Sequence, residues 1–420
     1  MMKILKKLLL CSIVLMAFSS FIDNSGDLLV KEGFNRAQLL YTKMLSIEKI
    51  HTAFPRTTAP DGTLKTTDLK DWTAGFWAGD LWQVYEYTKD PKWKEAATKW
   101  TVTLKDNQFN KGTHDLGFMM FCSYGNAYRL TGDKSYRDIL IQSAKSLSSR
   151  YNPITKCIES WDQRLSWDGK TLWKYPVIID NMMNLELLFW ATKETGDSSY
   201  YKIAISHANA TMKNHVRPDF STYHVVNYDE KTGEVLDRQT CQGFADNSTW
   251  ARGQAWAIYG FTIMYRETMD KKYLDLAQNL ADFFLNNKSL PKDKIPLWDF
   301  NVNQEGYKPQ WDYNREKYSS PIPRDASAAA ITSSALFELS TYLPKEKSLK
   351  YKNSAIEILR SLSSSVYLAI PDTNNNFLIK HSVGSLPHKA EIDVPLNYAD
   401  YYYLESLLRY KKLNDGSSKL

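Results

Sequence analysis

The chain has 420 residues, a formal charge of +6 and an aromatic content of 13%. The charge is small for this length and nowhere forms the basic stripe that a phosphate-backbone binder needs, so nucleic acid is excluded as a partner. Four cysteines without paired spacing and seven histidines outside any close ligand pattern argue against a disulfide framework and a metal site, and no cofactor is expected.

Taken in chain order, the first segment is a leader. Lys3, Lys6 and Lys7 precede an apolar run over residues 8–18, and the small residues Ser19 and Ser20 follow it, which is the pattern of a secretory signal peptide at 1–20. The run is shorter than a bilayer span. Cys11 lies inside it, with much of the apolar run still to come, which argues against a lipid anchor. Removal of the leader takes three lysines and no acid, so the charge falls from +6 to +3. Export to a periplasm is the expectation, with no membrane partner afterwards. Residues 21–420 contain no Pro/Gly/Ser-rich linker and no charge run, so they read as one domain.

An amphipathic stretch at about 30–50 comes next. It is followed by six strongly apolar segments that begin near Trp72, Asp115, Asp180, Trp250, Asp325 and Asn397. Phe118-Met-Met-Phe-Cys122 and Leu185-Glu-Leu-Leu-Phe-Trp190 are apolar over most of a helical circumference, as expected of helices packed on all sides. Between them run amphipathic segments such as Lys92–Trp100 and Lys350–Arg360, which read as outer helices. Four of the junctions share a phrase, Thr-x-Asp-x-x-aromatic: Thr88-Lys-Asp90 with Trp93, Thr131-Gly-Asp133 with Tyr136, Thr195-Gly-Asp197 with Tyr200, and Thr268-Met-Asp270 with Tyr273. The unit is a helical hairpin. Six inner and six outer helices in alternation predict an all-α fold, an (α/α)6 barrel, with an open solenoid as the alternative.

In a closed ring the starts of the inner helices gather at one mouth. Insertions at about 150–179 and 215–249 lie at that mouth, and the first carries Trp161, Trp167 and Trp173. Aromatic rings around a polar pit suit a pyranose, which offers an apolar C–H face and a rim of hydroxyls. Asp115 and Asp180 each stand directly before an apolar inner helix, where a carboxylate could simply be an N-cap. Their shared place next to His114 and Arg252 suggests more, because two neighbouring carboxyls can be driven apart in pKa so that one stays protonated. The helix dipole opposes this. Val177, Ile178 and Ile179 make Asp180 the better desolvated of the two. Arg252 and Trp256, four apart on one helix with Tyr259 nearby, offer a guanidinium beside a stacking ring, suited to a substrate carboxylate. A structural pairing of Arg252 with Asp246 is the alternative.

The segments Trp72-Thr-Ala-Gly-Phe-Trp77, His114-Asp-Leu-Gly-Phe118, Ile178-Ile-Asp-Asn-Met-Met-Asn-Leu185, Tyr223-His224, Trp250-Ala-Arg-Gly-Gln-Ala-Trp256 and Asp393-Val-Pro-Leu-Asn-Tyr-Ala-Asp-Tyr-Tyr402 resemble the unsaturated glucuronyl hydrolases, glycoside hydrolase family 88. The resemblance covers nearly the whole chain after the leader. It implies an (α/α)6 barrel and a metal-free hydrolase that removes a 4,5-unsaturated uronic acid from the non-reducing end of lyase-generated oligosaccharides. By the same resemblance Asp180 matches the general acid/base and Asp115 its partner carboxylate. Trp72, His114, His224, Gln242, Arg252 and Trp256 match positions around the unsaturated sugar, and Trp161, with Trp167 as second choice, matches the stacking ring of the loop. The stretch Ser382-Val-Gly-Ser385…Lys389 is similar to a Ser-and-Lys stretch that some members use toward the second sugar or its sulfate, with a longer spacing here.

Three other readings compete. Unsaturated rhamnogalacturonyl hydrolases share the barrel and the chemistry, although His114 before Asp115 and the Trp250–Trp256 motif favour the glucuronyl branch. An epimerase or lyase on this barrel would show a histidine pair or a Tyr/Asn/His set at the mouth. A glycan-binding helical-repeat protein leaves Asp180 in its apolar setting without an explanation.

Overall fold

The computed structural model describes residues 26–47, 53–166 and 169–417. The leader expected at 1–20 and Trp167 lie outside the described residues.

The repeated phrase is a turn written in hydrogen bonds. The hydroxyls of Thr88, Thr131, Thr195 and Thr268 donate to the carbonyl four residues back at 2.7–2.8 Å, closing each inner helix. The middle residues Lys89, Gly132, Gly196 and Met269 adopt the left-handed conformation, with φ between 55° and 76°. Asp90, Asp133, Asp197 and Asp270 then accept the backbone N–H two residues on, which caps the outer helix. Trp93, Tyr136, Tyr200 and Tyr273, one turn further, are buried. Three local choices thus reverse the chain and dock the second helix on the first.

The inner helices are Ala74–Thr88, the π-helical turns Gly117–Gly125 running into Asn126–Thr131, Leu185–Thr195, Ala251–Thr268, Ala326–Ser340 and Asn397–Asn414. Each packs on the next, and the last packs on the first. The barrel is therefore closed, and the open solenoid is excluded. Outer helices span 26–45, Pro91–Thr103, Lys134–Ser148, Ser198–Asn214, Lys271–Asn286 and Lys345–Leu362. The first of them sits over the seam. Its Phe34 stacks on Tyr87 with ring centroids 4.1 Å apart, and Tyr41 donates to Asp400 at 3.2 Å. All fifteen residues of Ala326–Ser340 are buried, as an apolar circumference requires. Among the described residues no helix is long and apolar enough to cross a membrane.

The inner wall is narrow because glycines let backbones meet. A Cβ on Gly75 would lie 2.3 Å from the Met119 carbonyl oxygen, and one on Gly117 would lie 2.5 Å from the Asn184 Cα. The two insertions are not plain loops. They contribute an antiparallel three-stranded sheet, Tyr175–Ile178, Val225–Tyr228 and Val235–Gln239, at the mouth of the all-α barrel. A hairpin of Ser382–Ser385 and Ala390–Val394 stands at the same mouth.

Gly75→Ala is expected to destabilise the protein by about 1–3 kcal/mol or more, since the methyl group meets backbone that has no rotamer to yield. Thermal unfolding checks this. An unchanged midpoint would contradict the close approach.

Candidate active site

Two chain segments meet directly behind the two aspartates. The Phe118 N–H donates to Asn184 Oδ1 at 3.0 Å, beside the contact of Gly117 with the Asn184 backbone. Asp115 precedes the π-helical turns, and Asp180 lies in a 3-10 turn, Ile179–Asn184, that leads into Leu185–Thr195. Neither carboxylate caps its helix, so the N-cap alternative fails for both. The contrast is Asp325, which caps Ala326–Ser340 through the N–H groups of Ser327 and Ala328.

Asp180 is 7% exposed and Asp115 9%. Burial raises the Asp180 pKa to about 7. The Arg252 charge opposes that rise and the Asp115 charge adds to it. Asp115 is likewise raised to about 7 by burial, against a hydrogen bond from the Thr113 hydroxyl at 2.7 Å. The histidines stay neutral. Burial and the Arg150 charge lower His114 to about 3, and burial followed by the Arg252 charge takes His224 well below its ordinary value. The His224 tautomer is fixed as well. Its Nδ1 accepts the N–H groups of Cys241 and Gln242, both at 3.1 Å, so the proton sits on Nε2, 3.7 Å from Asp180 Oδ2. His114 Nε2 lies 3.2 Å from Asp115 Oδ1.

His224 Nε2 and Arg252 Nε are buried without a hydrogen-bond partner, and Asp180 Oδ2 faces His224 Nε2 with the Trp256 indole close enough to favour its anion. Unlike the unsatisfied polar atoms elsewhere in the barrel, these belong to a carboxyl, an imidazole and a guanidinium that meet beside an open cavity. That cavity, of about 390 Å³, is reached through Gln242, whose N–H bonds His224, and Gly384, whose carbonyl accepts from Arg252; it is lined by Trp72, Trp161, Gln242, Ser385, His388 and Tyr398, among others. Trp72 and Tyr398 rings lie 4.9 Å apart, and Trp161 is backed by buried Trp173 at 6.2 Å. Trp256 is fully buried against Phe118 and Tyr402 and does not line this cavity. A second cavity, about 410 Å³, opens toward the C-terminal ends of the inner helices. Its charges, Glu86 with Arg129 and Arg266 with Glu186, are paired with one another.

Arg252 requires a correction. Its partner is Asp325, with Nη1 2.8 Å from Oδ2, and not Asp246. The two Nη groups also donate to the carbonyls of Val383 and Gly384, leaving Nε–H and the second Nη2–H unused. The guanidinium sits over Trp250 at 4.4 Å and Tyr398 at 5.3 Å, rather than beside Trp256. Of the Ser-and-Lys stretch, Ser385 lines the mouth and Lys389 does not; Lys389 pairs with Asp312 at 3.2 Å on the far side of the hairpin. Sequence reasoning did not single out Asp325 as a partner, nor Tyr398 or His388. Asp325 had a signal, as a carboxylate at the start of a third inner helix, but its pairing crosses 73 residues. Among the described residues no group of three or more His, Cys, Asp or Glu could hold a metal ion.

A fold of this kind hosts several chemistries, and comparison with known proteins gives the class, that of the glycoside hydrolases. The Glycosyl Hydrolase Family 88 model matches residues 46–278. The unsaturated glucuronyl hydrolase of Formosa agariphila is 47% identical over 86% of this chain and 85% of its own length. The unsaturated chondroitin disaccharide hydrolase of Streptococcus pneumoniae is 34% identical over 92% and 93%. A crystal structure of an unsaturated glucuronyl hydrolase specific for heparin superposes with a TM-score of 0.85 at 45% identity, covering 94% of this chain and all of that one. The chain belongs to glycoside hydrolase family 88.

The raised carboxyls have a consequence for stability. The folded protein holds the Asp180 proton up to about pH 7, whereas the unfolded chain releases it near pH 4, so stability falls as pH rises across that window. Asp180→Asn removes the ionisation and is expected to raise the melting temperature more at pH 8 than at pH 5. Equal shifts at the two pH values would show that Asp180 is not held protonated.

Proposed function

We propose that this protein hydrolyses the bond between a 4,5-unsaturated uronic acid and the rest of a lyase-generated glycosaminoglycan oligosaccharide, with Asp180 as the acid and base. The observation that carries the assignment of residues is the buried Asp180 carboxyl, raised in pKa and facing the neutral His224 imidazole at 3.7 Å. The C4=C5 bond adjoins the ring oxygen and is a vinyl ether. Asp180 delivers a proton to C4, leaving a cation shared between C5 and the ring oxygen. The resulting carboxylate draws a proton from the water that adds at C5, and the hemiketal opens to release the aglycone. Water does not attack the anomeric carbon, so the carboxylate-spacing rule for retaining and inverting glycosidases does not apply.

Asp115 accepts hydrogen bonds from ring hydroxyls, and as it ionises near pH 7 its charge raises the Asp180 pKa. His114 and His224 offer neutral N–H or acceptor atoms to the same sugar. Trp72 and Trp161 supply faces for stacking, and Gln242, anchored to the Gly384 carbonyl at 3.1 Å, meets the substrate in the mouth. Arg252 acts through its Nε–H and its field, while its Nη groups hold the hairpin, and the Trp256 indole lies close to Asp180. Export rests on the leader at 1–20, and N-terminal sequencing of protein recovered from a periplasmic fraction tests it.

Loss of ultraviolet absorbance by unsaturated disaccharides tests the reaction directly. Asp180→Asn is expected to abolish turnover while a disaccharide still binds, and retained turnover would remove Asp180 from the mechanism. The kcat/KM of the unaltered enzyme falls as pH rises through about 7, because the acid must be protonated. Asp115→Asn shifts that falling limb to lower pH, since it removes a charge that raises the Asp180 pKa. A limb that stays in place contradicts the coupling of the two carboxyls.

A further inference from the structure

We propose that a groove on the outer side of the 382–394 hairpin is a second sugar-binding site, taking the third and later sugars of substrates longer than a disaccharide. The proposal rests on the reaction assigned above. With the unsaturated end buried at Asp180, the rest of an oligosaccharide must leave through the mouth. The hairpin forms part of that rim. Ser385, His388 and Ala390 line the mouth cavity, and Lys389, between the last two, lines a separate groove of about 320 Å³. The turn is closed by the Lys389 N–H donating to the Leu386 carbonyl at 2.9 Å, so a chain crossing this one turn passes from one cavity to the other.

The groove has the chemistry of a pyranose site. Trp311 and Tyr318 supply aromatic surface, and Asp312, Asn314, Lys317 and Lys389 supply polar groups. Trp311 is held in place. Its indole N–H donates to the Phe244 carbonyl at 3.1 Å, and its ring meets Trp298 and Tyr313 edge to face at 6.3 and 5.3 Å. These rings belong to a small cluster separate from the barrel core, built on Phe244, Trp298, Val383 and Leu386. That cluster joins the hairpin to the loop carrying Gln242, through Phe244 two residues on, so the groove is registered to the mouth. The pair of Lys389 with Asp312 is exposed and therefore weak, so both partners can turn to a ligand.

The test compares unsaturated di- and tetrasaccharides from the same heparin or chondroitin lyase digest, followed by ultraviolet absorbance. The unaltered enzyme is expected to show a higher kcat/KM on the tetrasaccharide. Trp311→Ala is expected to lower the ratio of tetrasaccharide to disaccharide kcat/KM about tenfold, the loss of one stacked ring. Disaccharide turnover in the same samples corrects for the folded fraction. Should Trp311→Ala yield no folded protein, Tyr318→Ala must lower the same ratio. Turnover with a ratio near one in the unaltered enzyme, or a ratio that the variants leave unmoved, overturns the groove alone. No turnover of either substrate overturns the reaction and the groove together.

Discussion

The contact between Gly117 and the Asn184 backbone sets the terms for the site. Two inner segments come together there without a side chain between them, and the Phe118 N–H to Asn184 bond locks their register. Asp115 stands two residues before one side of that contact, and Asp180 four residues before the other. Burial of both carboxyls follows from the backbone packing. The same packing accounts for the irregular helix starts, a π turn on one side and a 3-10 turn on the other, since regular α-helical starts would present each aspartate as a cap. A capping carboxylate accepts N–H bonds that favour the anion. Withholding the cap is what allows burial to prevail.

Burial alone would not poise Asp180 near neutrality, because Arg252 lies close enough to pull its pKa down. Two features limit that pull. Asp325 pairs with the guanidinium directly, and Asp115 pushes on Asp180 with charge of the opposite effect. The neutral state of His224 matters equally. A protonated imidazole at 3.7 Å would hold Asp180 as a carboxylate. Two backbone N–H groups directed at Nδ1 leave that atom no room for a second proton, so the fold itself fixes the tautomer that a neutral acid requires.

Much of this was legible in the sequence because it is local. The Thr-x-Asp turns are complete within six residues, and their hydrogen bonds follow from threonine and aspartate chemistry alone. The alternation of all-round apolar and one-sided amphipathic helices gave the barrel, and Asp115 and Asp180 stood out as acids set against apolar runs. What escaped is long-range. The partner of Arg252 comes from the next inner helix, and the strands of the insertions pair across about fifty residues, as Tyr175 does with Tyr228. Helical and strand periods were not separable in such short apolar pieces. Trp173 and Trp256 read as mouth aromatics by position, yet burial assigns one to the backing of Trp161 and the other to packing against Phe118 and Tyr402.

Chemistry and selectivity occupy different kinds of structure in this molecule. The acid and its neighbours stand on inner-helix starts fixed by backbone contacts, where a displaced atom has nowhere to go. The mouth is made of hairpins whose length can vary without disturbing the barrel. They are nevertheless not free. Arg252 holds the carbonyls of Val383 and Gly384, and Arg56 is clamped between Glu391 and Asp71 at 2.5 Å each. One arginine thus lowers the Asp180 pKa and holds the strand Ser382–Ser385, while the other ties the returning strand to the start of the first inner helix. The turn between Ser385 and Lys389 puts the serine at the mouth and the lysine on the outer face while both strand ends stay anchored. Such an arrangement lets the family chemistry persist while the surface that meets the remaining sugars changes.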